Sequence, residues 1–233
     1  KHRTIGLRTS FPIVGAKGKA GDSGTLWPFL RGDGFTEHRE SNGMLSALIG
    51  TDYTFSVTTG RGMIEVQIPP CDNLHVLEER LQDAVFRLIQ ASERWNQSIL
   101  AYGGQPFQTM DQNSLTHKYH YFSLLRKIKE PYCYRGLQAV GYIDVSVSRE
   151  ELLEQLNWGQ ILTPIFAMLS ANSPILGNVD SYRPSFRMWK ESQLEVGDGR
   201  WQMLEYPYSG VDEWVFHQLH QPHLRLRDAE GWL

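Results

Sequence analysis

The sequence predicts an α+β fold: a curved antiparallel sheet covered on one face by helices, built as a single domain over residues 1–233. Three observations carry this. Short strand patterns separated by tight-turn signals crowd the first third of the chain, and strands joined so closely pair antiparallel. A long amphipathic helix follows them. A further strand pattern then leads into a second helix through a capping box, giving the order strands, helix, strand, helix.

Taken in order, Ile5, Leu7 and Thr9 alternate with Gly6, Arg8 and Ser10, the period of a strand whose second face carries Arg8 and Ser10. Gly15 to Gly24 is rich in glycine and lysine. No Gly-Lys-Ser/Thr follows at phosphate-loop spacing and no helix pattern starts there, so it reads as a mobile hairpin tip. Leu45 to Ile49, Tyr53 to Val57 and Met63 to Ile68 are strand patterns divided by Gly50-Thr51-Asp52 and Thr59-Gly60-Arg61-Gly62, both hairpin punctuation. Pro69-Pro70 is expected to stop the sheet.

Asp72 or Asn73 then caps a helix whose apolar face runs through Leu74, Leu77, Leu81, Ala84, Val85, Leu88, Trp95 and Ile99, ending at Gly103-Gly104. A second helical stretch is expected from about Leu115 to Ile128. Leu137 to Val147 reads as a long strand, and Ser148-Arg149-Glu150-Glu151 as a capping box. The helix it starts passes Leu152, Leu156, Ile161, Ile165 and Leu169, with Pro164 expected to kink it. Later, Val211 to His220 reads as a short helix and Leu224 to Arg227 as an edge strand.

Bulk properties remove several function classes. With 41% hydrophobic and 21% charged residues, the chain has the composition of an ordinary globular protein. A net charge of -3 gives no electrostatic reason to expect nucleic acid or an anionic membrane as partner. No apolar run approaches the roughly 20 residues of a membrane helix. Lys1-His2-Arg3-Thr4 leads straight into a strand pattern rather than a signal core. Two cysteines, Cys71 and Cys133, fit a reduced, cytoplasmic setting. His217, His220 and His223 recur every third residue, but Pro222 keeps one regular helix from presenting all three. His117 and His120 lie one turn apart on the expected second helix, and no carboxylate pattern supports zinc at either set. Cys133 lacks a His and Asp arrangement for nucleophilic catalysis.

The stretch from Leu169 to Trp189 stands out. An apolar helix ends in Asn172-Ser173-Pro174, a polar loop with Gly177 and Asp180 follows, and Arg183 and Arg187 stand among Tyr182, Phe186 and Trp189. Pro174 and Pro184 restrict the loop, and a guanidinium fork suits phosphate or carboxylate. The alternative is a surface loop whose arginines pair with local carboxylates.

Ala171-Asn172-Ser173-Pro174, followed by Ser181-Tyr182-Arg183 and Trp189, resembles the glutamate-cysteine ligase family and its carboxylate-amine ligase (GCS2-like) relatives. Gly62-Met63-Ile64-Glu65-Val66, the Pro70 to Tyr102 helix region and Gly136 to Glu151 extend the resemblance in order. It implies a glutamine-synthetase-like or glutamate-cysteine-ligase-like sheet whose concave face is the pocket, closed over by the Arg183 loop. It also implies ATP and magnesium, with an amino-acid or carboxylate substrate activated as an acyl phosphate. Hard cations take oxygen ligands, so several carboxylates must converge.

On this resemblance Glu65 is the candidate metal ligand and Asp144 a second. Arg183 serves the phosphates or the substrate carboxylate; Arg187, Tyr142, Asn172 and Ser173 complete the candidate binding set, the last two as capping and positioning residues. The chain departs from the family at Gly6-Leu7-Arg8-Thr9-Ser10, where the family carries Gly-x-Glu-x-Glu. Both carboxylates are replaced there, and Arg8 joins Arg183 as a candidate catalytic residue supplying fixed positive charge. Tyr142 and Asp144 stand where relatives carry polar pairs such as His-x-His. Relatives also continue into a Leu-Glu-x-Arg strand, so the domain is expected to be incomplete after Gly231-Trp232-Leu233. Two functions follow: an active ATP-dependent ligase, or a catalytically degenerate relative acting as a binding or scaffolding subunit in a homo-oligomer or beside a partner.

Overall fold

The computed structural model describes residues 2–32, 34–108, 115–118, 136–186, 207–220, 227–228 and 231–232. Cys133, Arg187, Trp189, His120, His223, most of the helix expected from Leu115 to Ile128, and Leu224 to Leu226 lie outside them. The chain forms two compact units, Lys1–Ser146 with Asn172–Arg187, and Val147–Ala171 with Met188–Leu233.

The first unit is α+β with an antiparallel sheet. Its strands are β1 (Ile5–Val14), β2 (Thr36–Arg39), β3 (Leu45–Ile49), β4 (Thr54–Val57), β5 (Met63–Cys71), β6 (Ser98–Ile99) and β7 (Gly141–Val145). They form one sheet in the order β2-β3-β4-β5-β1-β6, with β7 paired to the first half of β1. Short helix α1 (Trp27–Leu30) and long helix α2 (Leu74–Glu93) accompany it. Alternation decides the faces. Phe55, Ile64, Val66, Ile68 and Ile13 project to one side, where Ala84, Leu88 and Ala91 of α2 complete a buried cluster with Leu26, Trp27 and Leu30. Phe55 and Leu88 are wholly buried, each contributing about 1.5–3 kcal/mol by transfer out of water.

Several boundaries differ from the sequence expectations, each for a local reason. β5 does not stop at Pro69-Pro70; it runs to Cys71, which pairs with Ile5. The β4 ladder ends where Thr54 meets Gln67, so the prolines lie beyond β4 and their missing N–H groups deprive that edge of nothing. The β1 register shifts between Ile5 and Leu7, at Gly6. A Cβ there would stand 3.3 Å from the Ile68 carbonyl oxygen.

Helix α2 is capped by Asn73, whose side chain accepts the Val76 N–H at 3.0 Å. It ends ten residues before Gly103-Gly104. Asn96 adopts a left-handed conformation with φ 52°, and Gln97 N–H returns to the Ser92 carbonyl at 3.0 Å, the kind of turn that closes a helix. Ser98 and Ile99 then pair with Val14 and Ile13.

Gly15 to Gly24 is held down rather than projecting as a hairpin tip. It contains two 3-10 turns, Ala16–Gly18 and Ser23–Thr25, and Gly21 N–H bonds the Ile13 carbonyl at 2.7 Å. Leu115 forms a bridge with Gly60 instead of opening a helix. The strand expected from Leu137 to Val147 is confined to Gly141–Val145. The pattern reading missed α1, β2 and a two-stranded hairpin, β8 (Ile175–Leu176) and β9 (Val179–Asp180).

In the second unit, helix α3 (Leu152–Leu169) continues through Pro164. Its start keeps half of the capping box, with the Ser148 N–H donating to the Glu151 carboxylate at 3.2 Å. Helix α4 (Val211–His220) follows Tyr208, whose N–H and carbonyl are bound reciprocally by the Asn157 side chain at 2.8 and 3.0 Å. Residues Arg227–Asp228 and Gly231–Trp232 pair as β10 and β11. Among the described residues, no helix is long and apolar enough to cross a membrane.

Candidate active site on the polar sheet face

The sheet face turned away from the buried cluster is polar, and register determines its layout. Ser10 lies opposite Glu65, Arg8 opposite Gln67 on one side and Tyr142 on the other, and Gly6 opposite Asp144. Ser56 stands opposite Glu65 on β4. Since cross-strand partners project to the same side, Ser56, Glu65, Gln67, Ser10, Arg8, Tyr142 and Asp144 share one surface.

Within it two groups form. Glu65 is half-buried, and its Oε1 accepts from Gln67 Nε2 at 2.5 Å and Ser56 Oγ at 3.2 Å. Gln67 and Ser56 are the site residues missed from sequence. Their signal was the alternation that puts Gln67 two residues after Glu65 on the same strand. Arg8 belongs to the second group: its Nε donates to Asp144 Oδ2 at 3.4 Å, and its guanidinium carbon lies 4.7 Å from the Tyr142 ring centroid. The arginine is thus paired and stacked, an arrangement suited to a planar guanidinium.

Glu65 and Asp144 are not neighbours. β1 runs between their strands, and their partners on β1 are four residues apart. With strands about 4.8 Å apart and rising about 3.4 Å per residue, their backbones are separated by roughly 17 Å. One magnesium ion, with ligands at about 2.1 Å, cannot bridge them. Among the described residues, no three His, Cys, Asp and Glu side chains stand together to hold a metal ion. The described carboxylates therefore do not fit a shared magnesium cluster, and Arg8 holds positive charge between their strands.

The Asn172 to Phe186 segment is anchored beside this face. Gly177 and Asn178, with φ 63° and 67°, make the tight turn between β8 and β9, as two left-handed residues do in two-residue hairpins. Gly103 N–H bonds the Asn172 carbonyl at 3.2 Å, Ile175 N–H bonds the Tyr102 hydroxyl at 2.8 Å, and Gly177 N–H bonds the Gln105 carbonyl at 3.0 Å. Gln105 is itself wholly buried and donates to the Ile13 and Gly62 carbonyls at 2.8 and 2.5 Å. Ser10 completes the connection: its N–H bonds the Val140 carbonyl at 2.9 Å, while Ala139 N–H bonds the Gly103 carbonyl at 3.1 Å.

Gly103-Gly104, expected as a helix end, is instead where two backbones meet. A Cβ on Gly104 would stand 2.6 Å from the Leu137 carbonyl oxygen, and one on Gly103 2.9 Å from Ser173 Cβ. Ser173 is fully buried, its N–H bonding the Pro184 carbonyl and its carbonyl accepting the Phe186 N–H. Asn172 keeps its side chain at the surface. Both residues therefore shape the loop. Arg183 is exposed at the loop's far end, its N–H held by Ser181 Oγ at 3.2 Å, beside Tyr182 with φ 54°.

No curated protein matches the chain. The family model for glutamate-cysteine ligase family 2 (GCS2) matches residues 36–230, a span that includes Glu65, Asp144 and Arg183 and leaves β1 with Arg8 outside it. Since that match covers most of the chain, the protein belongs to glutamate-cysteine ligase family 2.

Proposed function

We propose that this chain is an ATP-dependent carboxylate-amine ligase forming an amide or γ-glutamyl bond. The γ-phosphoryl group of ATP passes to a carboxylate oxygen, releasing ADP and leaving an acyl phosphate. An amine then attacks the acyl carbon, phosphate departs, and the amine loses a proton. The observation that carries this reading is the single polar face on which Arg8, Ser10, Glu65, Gln67, Tyr142 and Asp144 lie together, within a chain of this family.

The residues suit the charges such a reaction develops. Arg183, exposed on an anchored loop, would steady the transferring phosphoryl group or a substrate carboxylate. Glu65, held through one oxygen by two neutral donors, keeps its Oε2 for the ammonium of an amine substrate. The defining experiment is ADP release by the purified chain with paired carboxylate and amine substrates. Release stimulated by a pair supports the ligase. Background release with every pair defeats it for this polypeptide.

A second reading has its own observation. The Arg8–Asp144 pair puts a fixed cation on the face where the family resemblance implies metal-binding carboxylates, which favours a catalytically degenerate relative acting as a binding or scaffolding subunit. Purification from the native source distinguishes the two. A stable stoichiometric partner supports the subunit, and a lone active monomer or homodimer excludes it.

A further inference from the structure

The outer strands β2 and β7 are finished differently. β2 carries Glu37, His38 and Arg39, with Glu37 paired to Arg31 at 2.8 Å and to Arg39 at 2.6 Å, and its register against β3 shifts between His38 and Arg39. Charges and a bulge of this kind keep an edge from recruiting another strand. β7, Gly-Tyr-Ile-Asp-Val, has neither. Among the described residues it pairs with β1 alone and without a register shift. All of its residues are exposed, Ile143 at 69% and Val145 at 47%, and its one charge, Asp144, is neutralised by Arg8.

The phase of the β1–β7 ladder decides which backbone groups β7 leaves open. At its two ends, Ser146 N–H bonds the Thr4 carbonyl and Ser10 N–H bonds the Val140 carbonyl, each at 2.9 Å. Opposed residues in an antiparallel ladder alternate between bonded and non-bonded pairs. Tyr142 and Asp144 therefore turn their N–H and C=O groups to β1, whereas Gly141, Ile143 and Val145 turn theirs outward. Those three are spaced symmetrically about Ile143. An open row of this kind is a template for one more strand.

We infer that β7 is a dimerisation strand, pairing antiparallel with β7 of a second copy about a two-fold axis through Ile143. In that register Ile143 meets Ile143 of the second copy and Gly141 meets its Val145, each pair exchanging both backbone bonds. Tyr142 meets Asp144 as a non-bonded pair, with Cα atoms about 4.5 Å apart. The phenol can then donate to the carboxylate on the polar face, while Ile143 and Val145 bury apolar surface on the other. Moving the axis to Asp144 would set two carboxylates directly opposite each other, and moving it to Tyr142 would carry Val145 beyond the second β7. The register through Ile143 alone matches the whole strand to itself. It joins the two polar sheet faces into one surface, and it does not rest on the ligase reading. A strand of 5 residues from each copy makes a small interface, so the dimer is expected to be a transient one with a micromolar dissociation constant.

Sedimentation velocity of the full chain from about 1 to 100 µM is expected to show a reversible monomer–dimer equilibrium. Ile143→Pro removes an outward N–H that β1 does not use, and the two-fold axis doubles the loss, so the dissociation constant should rise about thirtyfold or more. Ile143→Lys and Ile143→Glu each set like charges opposite one another and should each be monomeric, whereas an equimolar mixture of the two should recover the dimer. If Ile143→Pro does not fold by circular dichroism, the two charge variants decide, since the Ile143 side chain faces solvent. A parent chain that stays monomeric across that range, a dimer that survives Ile143→Lys, or a mixture that stays monomeric would each overturn the inference. A monomer whose Ile143 amide is protected from hydrogen exchange would overturn it too, by showing that another segment of the chain covers this edge.

Discussion

Arg8 and Asp144 pair diagonally across the β1–β7 ladder, with Nε 3.4 Å from Oδ2 and the guanidinium stacked over Tyr142. Their side chains are 45% and 56% exposed, so the pair contributes less than about 1 kcal/mol to folding. Arg8→Ala is accordingly expected to shift the urea midpoint only slightly. A loss of several kcal/mol would mean that Arg8 holds the sheet edge rather than tuning the face.

The larger effect of Arg8 is expected on magnesium-ATP. Glu65 and Asp144 cannot share an ion, and a fixed cation occupies the strand between them. Thermal-shift titration should therefore show little magnesium-dependent stabilisation. A site filled at a hundred times its dissociation constant would add about 2.7 kcal/mol. Stabilisation of that size, present with magnesium and absent with EDTA, would remove the argument for a degenerate face.

Arg183 tests the ligase reading from the other side. Its loop is anchored by Tyr102, Gly103 and Gln105, so Arg183→Ala removes an exposed charge without disturbing the anchor. If the chain turns over, ADP release should fall by about a hundredfold or more, the scale of losing a group that stabilises developing charge. Unchanged release would take Arg183 out of the chemistry.

The three strands β3, β4 and β5 were legible because short apolar stretches are bounded there by Gly and Asp turns, with the clearest period of two at Met63 to Ile68, whereas β2, β8 and β9 carry no such pattern. What was not legible is tertiary. Nothing local indicates that Gly103-Gly104 serves as a docking surface for Ser173 and Leu176, and the pair looks like any helix terminator. Asn96 was the readable stop for α2, outweighed by the apolar residues Trp95 and Ile99, which kept the helical period going past it. The faces of Arg8 and Asp144 were legible from alternation. The family resemblance, which turns that face toward the metal site, puts Arg8 within reach of Glu65 or Asp144, and the Asp144 pair is the one observed; the choice between the two depends on β7 docking beside β1 with a register no local signal fixes.

That docking surface gives a stability prediction. Gly104→Ala pushes a methyl group towards the Leu137 carbonyl oxygen and the Leu176 side chain, both parts of a wholly packed contact. Overpacking of this kind costs about 1–3 kcal/mol. Gly141→Ala, where a Cβ meets nothing within 4 Å, is the control and should change stability by less than about 0.5 kcal/mol. Equal midpoints for the two variants would show that the Asn172 loop is not seated on Gly103-Gly104.

Tyr53 supplies a pH dependence with a definite sign. It is 5% exposed, and its hydroxyl donates to Asp83 Oδ2. Burial first, and then this hydrogen bond, raise the phenol's pKa well above its ordinary value, with the Arg87 charge opposing. A folded value above the unfolded one means that the stabilisation is fully present below the unfolded pKa of about 10. As pH rises beyond that, the unfolded chain gives up the proton while the folded chain keeps it, and stability declines until the folded value is passed. Tyr53→Phe should cost about 1 kcal/mol at neutral pH and should lose less stability than the parent chain between about pH 9 and 11. Urea midpoints of both proteins across that range, followed by fluorescence, measure the difference. Parallel curves would show that the Tyr53 proton is not what the fold retains.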